Sequence, residues 1–192
     1  MLKARVRLAG STNSGTEPQS TDDVPLSMTP SLSATPVPTD APHVPVVIVG
    51  AGACGLTAAL NLSRQGIECV VLERDATAQG STALSSGFIP APGTRAQQLK
   101  GIADSPELFV QDIQHKAKGL ADPVLAHAYA RHIGPALDEL QHHHGLVWEV
   151  LDGFLYPGHS VHRMHAVPER TGAGLMQRLM QAADAAGIAV LT

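Results

Sequence analysis

The apolar positions of the chain first gather into two short runs separated by a helix-compatible stretch. Residues 46–49 read Val-Val-Ile-Val, an uninterrupted run that is typical of a buried parallel strand. Residues 56–65 favour a helix, Gly66 is placed to end it, and residues 67–72 form the second apolar run. The pattern therefore predicts a β-α-β unit over residues 46–72.

Capping residues and apolar stripes predict three further helices. Ser105-Pro106 begins one that runs to about Lys118, and Asp122-Pro123 begins a longer one over residues 124–143, ended by Gly145. The core-facing positions expected in the longer helix are Leu125, Ala128, Ile133, Ala136, Leu137 and Leu140. A third helix is predicted over residues 171–186, with a core stripe of Leu175, Met176, Leu179, Met180 and Ala183. Gly187 would end it, and residues 188–191 predict a strand.

The remaining segments are less regular. Residues 79–90 are small and polar, and they predict an irregular segment that wraps around another group rather than a helix or a strand. Residues 146–150 and 154–156 predict short strands joined by Asp152-Gly153. Before all of these, residues 1–43 form a predicted disordered tail, because more than half of residues 11–42 are Ser, Thr or Pro. Met28 lies in this tail and is an alternative translation start, which mass spectrometry of the native N-terminus would test.

Composition excludes some classes of binding partner and favours one cellular compartment. The 192 residues carry a formal net charge of −4 with 3% aromatic residues, which argues against a nucleic-acid partner. No apolar run approaches membrane-spanning length, so we expect no membrane partner. Cys54 and Cys69 are expected to pack as small hydrophobes, and without a disulfide framework they favour a cytoplasmic protein.

The loop of the β-α-β unit carries candidate chemistry. Gly50 would allow a tight turn, Gly52 would let a pyrophosphate approach the backbone, and Gly55 would let the helix pack closely, as would Ala58 and Ala59. The helix N-terminus offers free N–H groups and a positive dipole end to phosphates. Glu73, which ends the second strand, could accept hydrogen bonds from ribose hydroxyls. These residues predict a dinucleotide site; the alternative is a β-α-β unit whose glycines serve packing alone.

Residues from about 46 to 192 resemble the flavoprotein family of fumarate reductase, succinate dehydrogenase, L-aspartate oxidase and 3-ketosteroid Δ1-dehydrogenase. The resemblance rests on residues 50–73, on Gly-Ser-Thr-Ala-Leu-Ser-Ser-Gly at 80–87, and on His-Arg-Met-His at 162–165. It implies an α/β, Rossmann-like FAD-binding domain over residues 44–192, with an incomplete parallel sheet and a helical excursion. It also implies that Gly50, Ala51, Gly52, Gly55 and Glu73 hold the ADP half of FAD. Ser81, Thr82, Ser86 and Gly87 would hold its pyrophosphate and flavin side.

One departure from the family pattern bears on how FAD is held. Membrane-bound succinate dehydrogenases carry covalent FAD on a histidine near the position of Ser81. A serine at this position implies a non-covalent cofactor and a soluble relative.

The resemblance also implies a reaction, in which a hydride moves between the flavin and an activated C–C bond of a small molecule such as a dicarboxylate or an enone. The family's catalytic arginines and histidines correspond to positions beyond Thr192, so no catalytic residue is assigned and a truncated chain is expected. The electron partner is not defined by the sequence. The alternatives are an inactive flavin-binding fragment, a small complete domain, and an NAD-dependent dehydrogenase; residues 80–87 argue against the last.

Other conspicuous side chains are expected to be structural. The run His142-His143-His144 suits a solvated helix end better than a metal site, because no Asp, Glu or Cys lies at ligand spacing. His162, Arg163 and His165 are expected to be solvated or structural, with an active-site cavity as the alternative. Ser85 and Ser86 lack a nucleophile-elbow context, and Trp148 is expected to be a packed aromatic.

Overall fold

A computed structural model describes residues 43–192 as an α/β unit with six helices and six strands. The predicted tail up to residue 42, including Met28, lies outside the described residues. In chain order the elements are β1 Val46–Val49, α1 Ala53–Arg64, β2 Cys69–Leu72, α2 Gly80–Leu84, β3 Ile89–Pro90, α3 Arg95–Leu99, α4 Pro106–Lys116, α5 Pro123–His144, β4 Glu149–Val150, β5 Met164–Ala166, α6 Gly172–Ala185 and β6 Ala189–Leu191.

The strands form two small sheets. The first is parallel in the order β1-β2-β6, with Val46 opposite Cys69 and Val70 opposite Ala189. The second is antiparallel in the order β3-β5-β4, with Ile89 opposite His165. The α/β class, the β-α-β unit and the parallel sheet are therefore confirmed.

The main core lies between the parallel sheet and the two helices α1 and α6, which pack on each other. Its fully buried members include Leu56, Leu60, Val71, Leu179 and Ala183. The predicted α6 stripe is confirmed, since Leu175, Met176, Leu179 and Ala183 are buried and Met180 packs against the core. Trp148 is also buried, and its indole N–H donates to the Leu137 carbonyl at 2.8 Å.

The expectation that β1 is buried on both faces is wrong for residues 43–192. Val47 is 52% exposed and Val49 is 85% exposed, because α1 and α6 cover one face of the sheet and these side chains alternate to the other. Ala58 is likewise exposed, whereas Ala59 is fully buried against the core. Cys69 packs as predicted, but Cys54 is exposed in the first turn of α1.

The predicted caps of α4 and α5 are confirmed, with Ser105 and Asp122 accepting hydrogen bonds from first-turn N–H groups. Thr171, predicted as the first residue of the third helix, caps α6 in the same way. The predicted core face of α5 is wrong near its start, where Leu125 and Ala128 are exposed. The buried positions there are Ala126, Ala130 and Gly134. These small residues recur every fourth position and let the helix pass close to its neighbours: a Cβ on Gly134 would lie 2.3 Å from the Pro92 carbonyl oxygen.

Two other local predictions are wrong. Residues 79–90 contain the short helix α2 and the strand β3, and residues 154–156 form no strand. Distant contacts decide both cases, because β3 pairs with β5 and β4 pairs with β5 rather than with residues 154–156. The Ser85 carbonyl that follows α2 accepts a hydrogen bond from the Gly172 N–H at 2.9 Å.

No helix within residues 43–192 is both long enough and apolar enough to span a membrane.

Candidate functional site

The loop between β1 and α1 is shaped by two glycines whose backbone roles are visible. Gly50 adopts a φ of +100°, and its N–H donates to the Leu72 carbonyl at 2.7 Å. A Cβ on Gly55 would lie 2.0 Å from the Gly50 carbonyl oxygen and 3.2 Å from Ile48 Cγ2. Gly50 is thus explained by the turn and Gly55 by the close passage of the helix over it.

Gly52 is different, because packing does not require a glycine there. A Cβ at this position would meet Thr82 Oγ1 at 3.6 Å, an ordinary contact, and the φ of −75° suits any residue. Gly52 is also the N-cap of α1, and it makes no side-chain cap hydrogen bond. By contrast, α3, α4, α5 and α6 each begin at a residue whose side chain caps the helix. At the positive end of α1 the Ala53 N–H donates to Thr82 Oγ1, whereas the N–H groups of Cys54 and Gly55 have no side-chain partner among residues 43–192.

Glu73 is tied to this loop through its carboxylate. Oε2 accepts from the buried Ala51 N–H at 2.8 Å, and Oε1 accepts from the Asp75 N–H at 3.0 Å. The hydrogen bonds from Asp75 and then from Ala51 lower the pKa of Glu73 below its usual value. A partly exposed, ionised carboxylate is thus held at the carboxyl end of β2, next to the α1 N-terminus.

The residues predicted for the flavin side, in 81–87, contact the β1–α1 loop region through Thr82. Thr82 Oγ1 accepts from the Ala53 N–H at 3.3 Å, whereas Ser81 and Ser86 are exposed. Gly87 is buried with a φ of +67°, and a Cβ there would lie 2.7 Å from the Thr171 carbonyl oxygen. The structure therefore brings Ala51, Gly52, Glu73 and Thr82 together, while Gly87 lies against the start of α6.

The neighbouring Ser85 hydroxyl is used locally. It donates to the Thr82 carbonyl at 2.7 Å and accepts from the Gly87 N–H at 3.0 Å. These bonds fix the turn after α2.

Arg163 and His165 are fully buried, so the expectation of a structural role holds and that of a solvated one is wrong. His165 Nδ1 lies 2.9 Å from the Arg163 carbonyl oxygen and must donate to it, so Nε2, 2.7 Å from Thr94 Oγ1, accepts from that hydroxyl. Burial lowers the pKa of His165 and favours this neutral ring. Thr94, which also begins α3 in a capping box with Gln97, was missed at the sequence level, although its Thr-x-x-Gln spacing is a recognisable signal.

The histidine run at the end of α5 is on the surface, where His142 and His143 are exposed. Within residues 43–192, no three His, Cys, Asp or Glu side chains are placed to share a metal ion.

An open groove of ≈ 770 Å³ lies next to Phe88, the residue that follows Gly87, and the sequence did not predict it. Its lining includes Phe88, Trp148, Phe154 and Tyr156, and the Phe88 and Tyr156 ring centroids are 6.2 Å apart. Lys100 at its edge is paired with Asp152 at 2.6 Å.

Known proteins share this architecture. A family model described as "FAD binding domain" matches residues 45–192. The cytochrome-type fumarate reductase of Shewanella frigidimarina is 30% identical over 70% of this chain and 23% of its own length. A urocanate reductase of Eggerthella lenta is 32% identical over 73% of this chain and 23% of its own length. A 3-oxosteroid 1-dehydrogenase of Mycobacterium tuberculosis is 40% identical over 32% of this chain and 11% of its own length.

A solved structure agrees with these relatives. The open conformation of a flavocytochrome c3 fumarate reductase superposes with a TM-score of 0.69 at 25% identity, over 77% of this chain and 26% of that one. The chain thus spans about a quarter of the length of these two reductases and of this solved structure. Together, the family model, these relatives and the shared fold show that the chain belongs to the FAD-binding domain family of the fumarate reductase and 3-oxosteroid dehydrogenase type of flavoprotein oxidoreductase.

Proposed function

We propose that residues 44–192 hold FAD without a covalent bond and form the cofactor-binding portion of an oxidoreductase. The observation that carries this proposal is the N-cap of α1, which is Gly52, a residue that supplies no side-chain cap and that packing does not require to be glycine. A phosphate would supply the missing cap and would need the space that a side chain at residue 52 would occupy. The presence of a glycine at residue 52 therefore supports a ligand site over the alternative in which the glycines serve packing alone.

The ADP half would be held by Gly50, Ala51, Gly52, Gly55 and Glu73. Glu73 fits a ribose because its carboxylate is ionised, partly exposed and oriented by the Ala51 N–H. The same charge would repel a 2′-phosphate, which disfavours NADP. Gly50 and Gly55 would act indirectly, by fixing the turn and the closeness of α1 to it.

Ser81, Thr82, Ser86 and Gly87 would serve the pyrophosphate and flavin side. Thr82 already contacts the first turn of α1, and Ser81 and Ser86 expose hydroxyl groups that can donate to phosphate or flavin oxygens. Residue 81 is a serine, whereas membrane-bound succinate dehydrogenases have near this position the histidine to which FAD is covalently attached. We therefore expect acid precipitation to release the flavin, and flavin that stays with the denatured chain would contradict this.

When bound, FAD would supply two-electron hydride chemistry, and the chain would orient it. Two relatives are named reductases of fumarate and urocanate, which both contain a C=C bond conjugated to a carboxylate. We therefore propose a small-molecule substrate with an activated C–C bond of the fumarate type. A ketosteroid-like enone is the second candidate, favoured by the 3-oxosteroid relative. The free thiols of Cys54 and Cys69 support a cytoplasmic location.

The test begins with binding and then asks for turnover. The full 192-residue chain is titrated with FAD, FMN and ADP, and fumarate, urocanate and a 3-oxosteroid are each assayed, with viologen as donor or dye as acceptor. FAD and ADP should bind, and FMN, which lacks the adenosine half, should bind more weakly. FAD binding without turnover of any substrate would favour the inactive flavin-binding alternative. Failure to bind either FAD or ADP would refute the proposed site.

A further inference from the structure

We propose that Arg163 is a positioning residue, which transmits the packing of α3 and α4 to residues 85–91, the segment that contains Gly87. The inference deepens the proposed function, since it concerns how the flavin side of that site is held in place. It rests on an unbroken series of contacts from a buried ion-pair cluster to residues 85–91.

The cluster consists of Arg163 between two aspartates. The guanidinium makes a two-point pair with Asp104, with Nε to Oδ2 and Nη2 to Oδ1 both at 2.9 Å, and its Nη1 donates to Asp112. The Arg163 and Asp104 side chains are 0% exposed, and that of Asp112 is 12% exposed. Phe109 covers the guanidinium, with its ring centroid 4.6 Å from Cζ. Arg163 is thus held by the connection before α4 and by α4 itself.

All four carboxylate oxygens of Asp104 and Asp112 accept hydrogen bonds. Asp104 accepts from the Gln97 side chain and the Ser105 N–H, both at 2.9 Å. Asp112 accepts from the Ser160 hydroxyl and N–H. Burial alone would raise the pKa of Asp112, but the hydrogen bonds from Ser160 and Arg163 outweigh it and lower that pKa. A cluster bonded this completely can adopt few other arrangements, which is the property that a positioning element needs.

The backbone of Arg163 connects the buried ion-pair cluster to the candidate site. Its carbonyl oxygen accepts from the Ala91 N–H at 2.9 Å and from His165 Nδ1 at 2.9 Å. The next residues form β5, whose Met164 and His165 pair with Pro90 and Ile89 of β3. Residues 85–91 are therefore fixed at one end by Arg163 and β5.

The other end of this segment is fixed by α6. The Ser85 carbonyl accepts from the Gly172 N–H at 2.9 Å, and Gly87 lies too close to Thr171 to admit a Cβ. The flavin-side residues Ser86 and Gly87 thus lie on a short span between two anchors. Gln97 of α3, through Asp104, and Asp112 of α4 are linked to this span by Arg163, whereas Tyr129 of α5 donates directly to the Pro90 carbonyl at 3.2 Å. Arg163 therefore gives α3 and α4 a role in holding the site.

The experiment compares Arg163→Met and Arg163→Lys with Arg178→Met in the full chain. Arg178 is a matched control, because it makes a two-point pair with Glu169 at 2.8 and 2.7 Å but lies on the partly exposed surface of α6. The first readout is amide hydrogen exchange, and the second is the affinity for FAD relative to ADP.

We expect exchange to quicken at residues 85–91 in Arg163→Met while residues 53–65 remain as protected as in the wild type. FAD affinity should fall about tenfold, the equivalent of about 1.4 kcal/mol, with ADP affinity unchanged. Arg163→Lys keeps the charge without the two-point geometry and should loosen the same residues less; it also serves if Arg163→Met does not fold. Arg178→Met should change neither readout.

Unchanged exchange at residues 85–91 in a folded Arg163 variant would overturn the inference, as would equal loss of FAD and ADP affinity. If the wild type binds no FAD, the proposed function fails by itself, and the exchange readout still decides whether Arg163 positions this segment.

Discussion

Gly52 and Gly55 lie three residues apart in the same loop, and the structure predicts opposite consequences of replacing each with alanine. At Gly55 the new methyl would sit 2.0 Å from the Gly50 carbonyl oxygen, a backbone atom that cannot move aside cheaply. Overpacking of this kind costs about 3 kcal/mol, and the better helix propensity of alanine returns about 1 kcal/mol. Gly55→Ala should therefore destabilise the fold by about 2 kcal/mol, or lower Tm by about 4–8 °C.

At Gly52 the methyl meets Thr82 Oγ1 at 3.6 Å and the backbone already suits alanine. The poorer N-cap propensity of alanine and the lower entropy of its unfolded chain nearly cancel, so stability should change by less than about 1 kcal/mol. The methyl would, however, occupy the space proposed for a phosphate at the α1 N-terminus. Gly52→Ala should therefore weaken FAD at least about tenfold, by about 1.4 kcal/mol or more.

Thermal unfolding followed by circular dichroism, together with FAD titration of each folded variant, separates the two effects. The expected pattern is a stable Gly52→Ala that binds FAD poorly and a destabilised Gly55→Ala. A Gly52→Ala variant with wild-type FAD affinity would refute the phosphate argument. A Gly55→Ala variant with wild-type Tm would refute the packing argument.

Three further expectations follow from the same site and its surroundings. Glu73→Gln should keep the fold, because an amide oxygen can still accept from Ala51, but it should weaken FAD binding several-fold in a fluorescence titration, since a charged acceptor is lost; unchanged affinity would remove Glu73 from the site. Iodoacetamide should label exposed Cys54 and spare buried Cys69, and FAD should slow the Cys54 reaction because it would cover the first turn of α1; equal rates with and without FAD would contradict the placement. Burial lowers the pKa of His165 in the folded chain, so the unfolded chain takes up the proton first as pH falls. Stability to denaturant should therefore be complete above about pH 6.5 and fall below it by up to about 1.4 kcal/mol per pH unit, with a smaller slope in His165→Gln; an unchanged slope in that variant would exclude His165 as the source.

The sequence predicted those parts of the candidate site in which a glycine is needed for a tight turn or for close packing of the backbone. Gly50 at a φ of +100° and Gly55 beneath a carbonyl oxygen follow from a glycine pattern between a strand and a helix. Asp104 and Asp112 could not be predicted as partners of Arg163, because their spacings along the chain, 59 and 51 residues, carry no periodic signal. Local sequence also could not show that Thr82 would reach the Ala53 N–H.

For the helices, too, the local features were predictable and the tertiary ones were not. Caps at Ser105, Asp122 and Thr171 act on the N–H groups of the next turn, so their sequence signals are local and the predicted helix starts were confirmed. The orientation of α5 is not local: Leu125 looked like a core residue by periodicity, but the close approach at Gly134 turns the small residues inward.

By itself, the sequence determined the β-α-β unit, the starts of α4, α5 and α6, and the family, because each depends on residues that are neighbours along the chain. Tertiary structure decided which face of β1 is covered, that residues 80–90 contain a helix and a strand, and that Arg163 is buried in an ion-pair cluster. The physical reason is the range of the interactions. Capping, turn geometry and hydrophobic periodicity act within a few residues, whereas strand pairing, buried charge and close packing depend on segments that meet only in the folded chain.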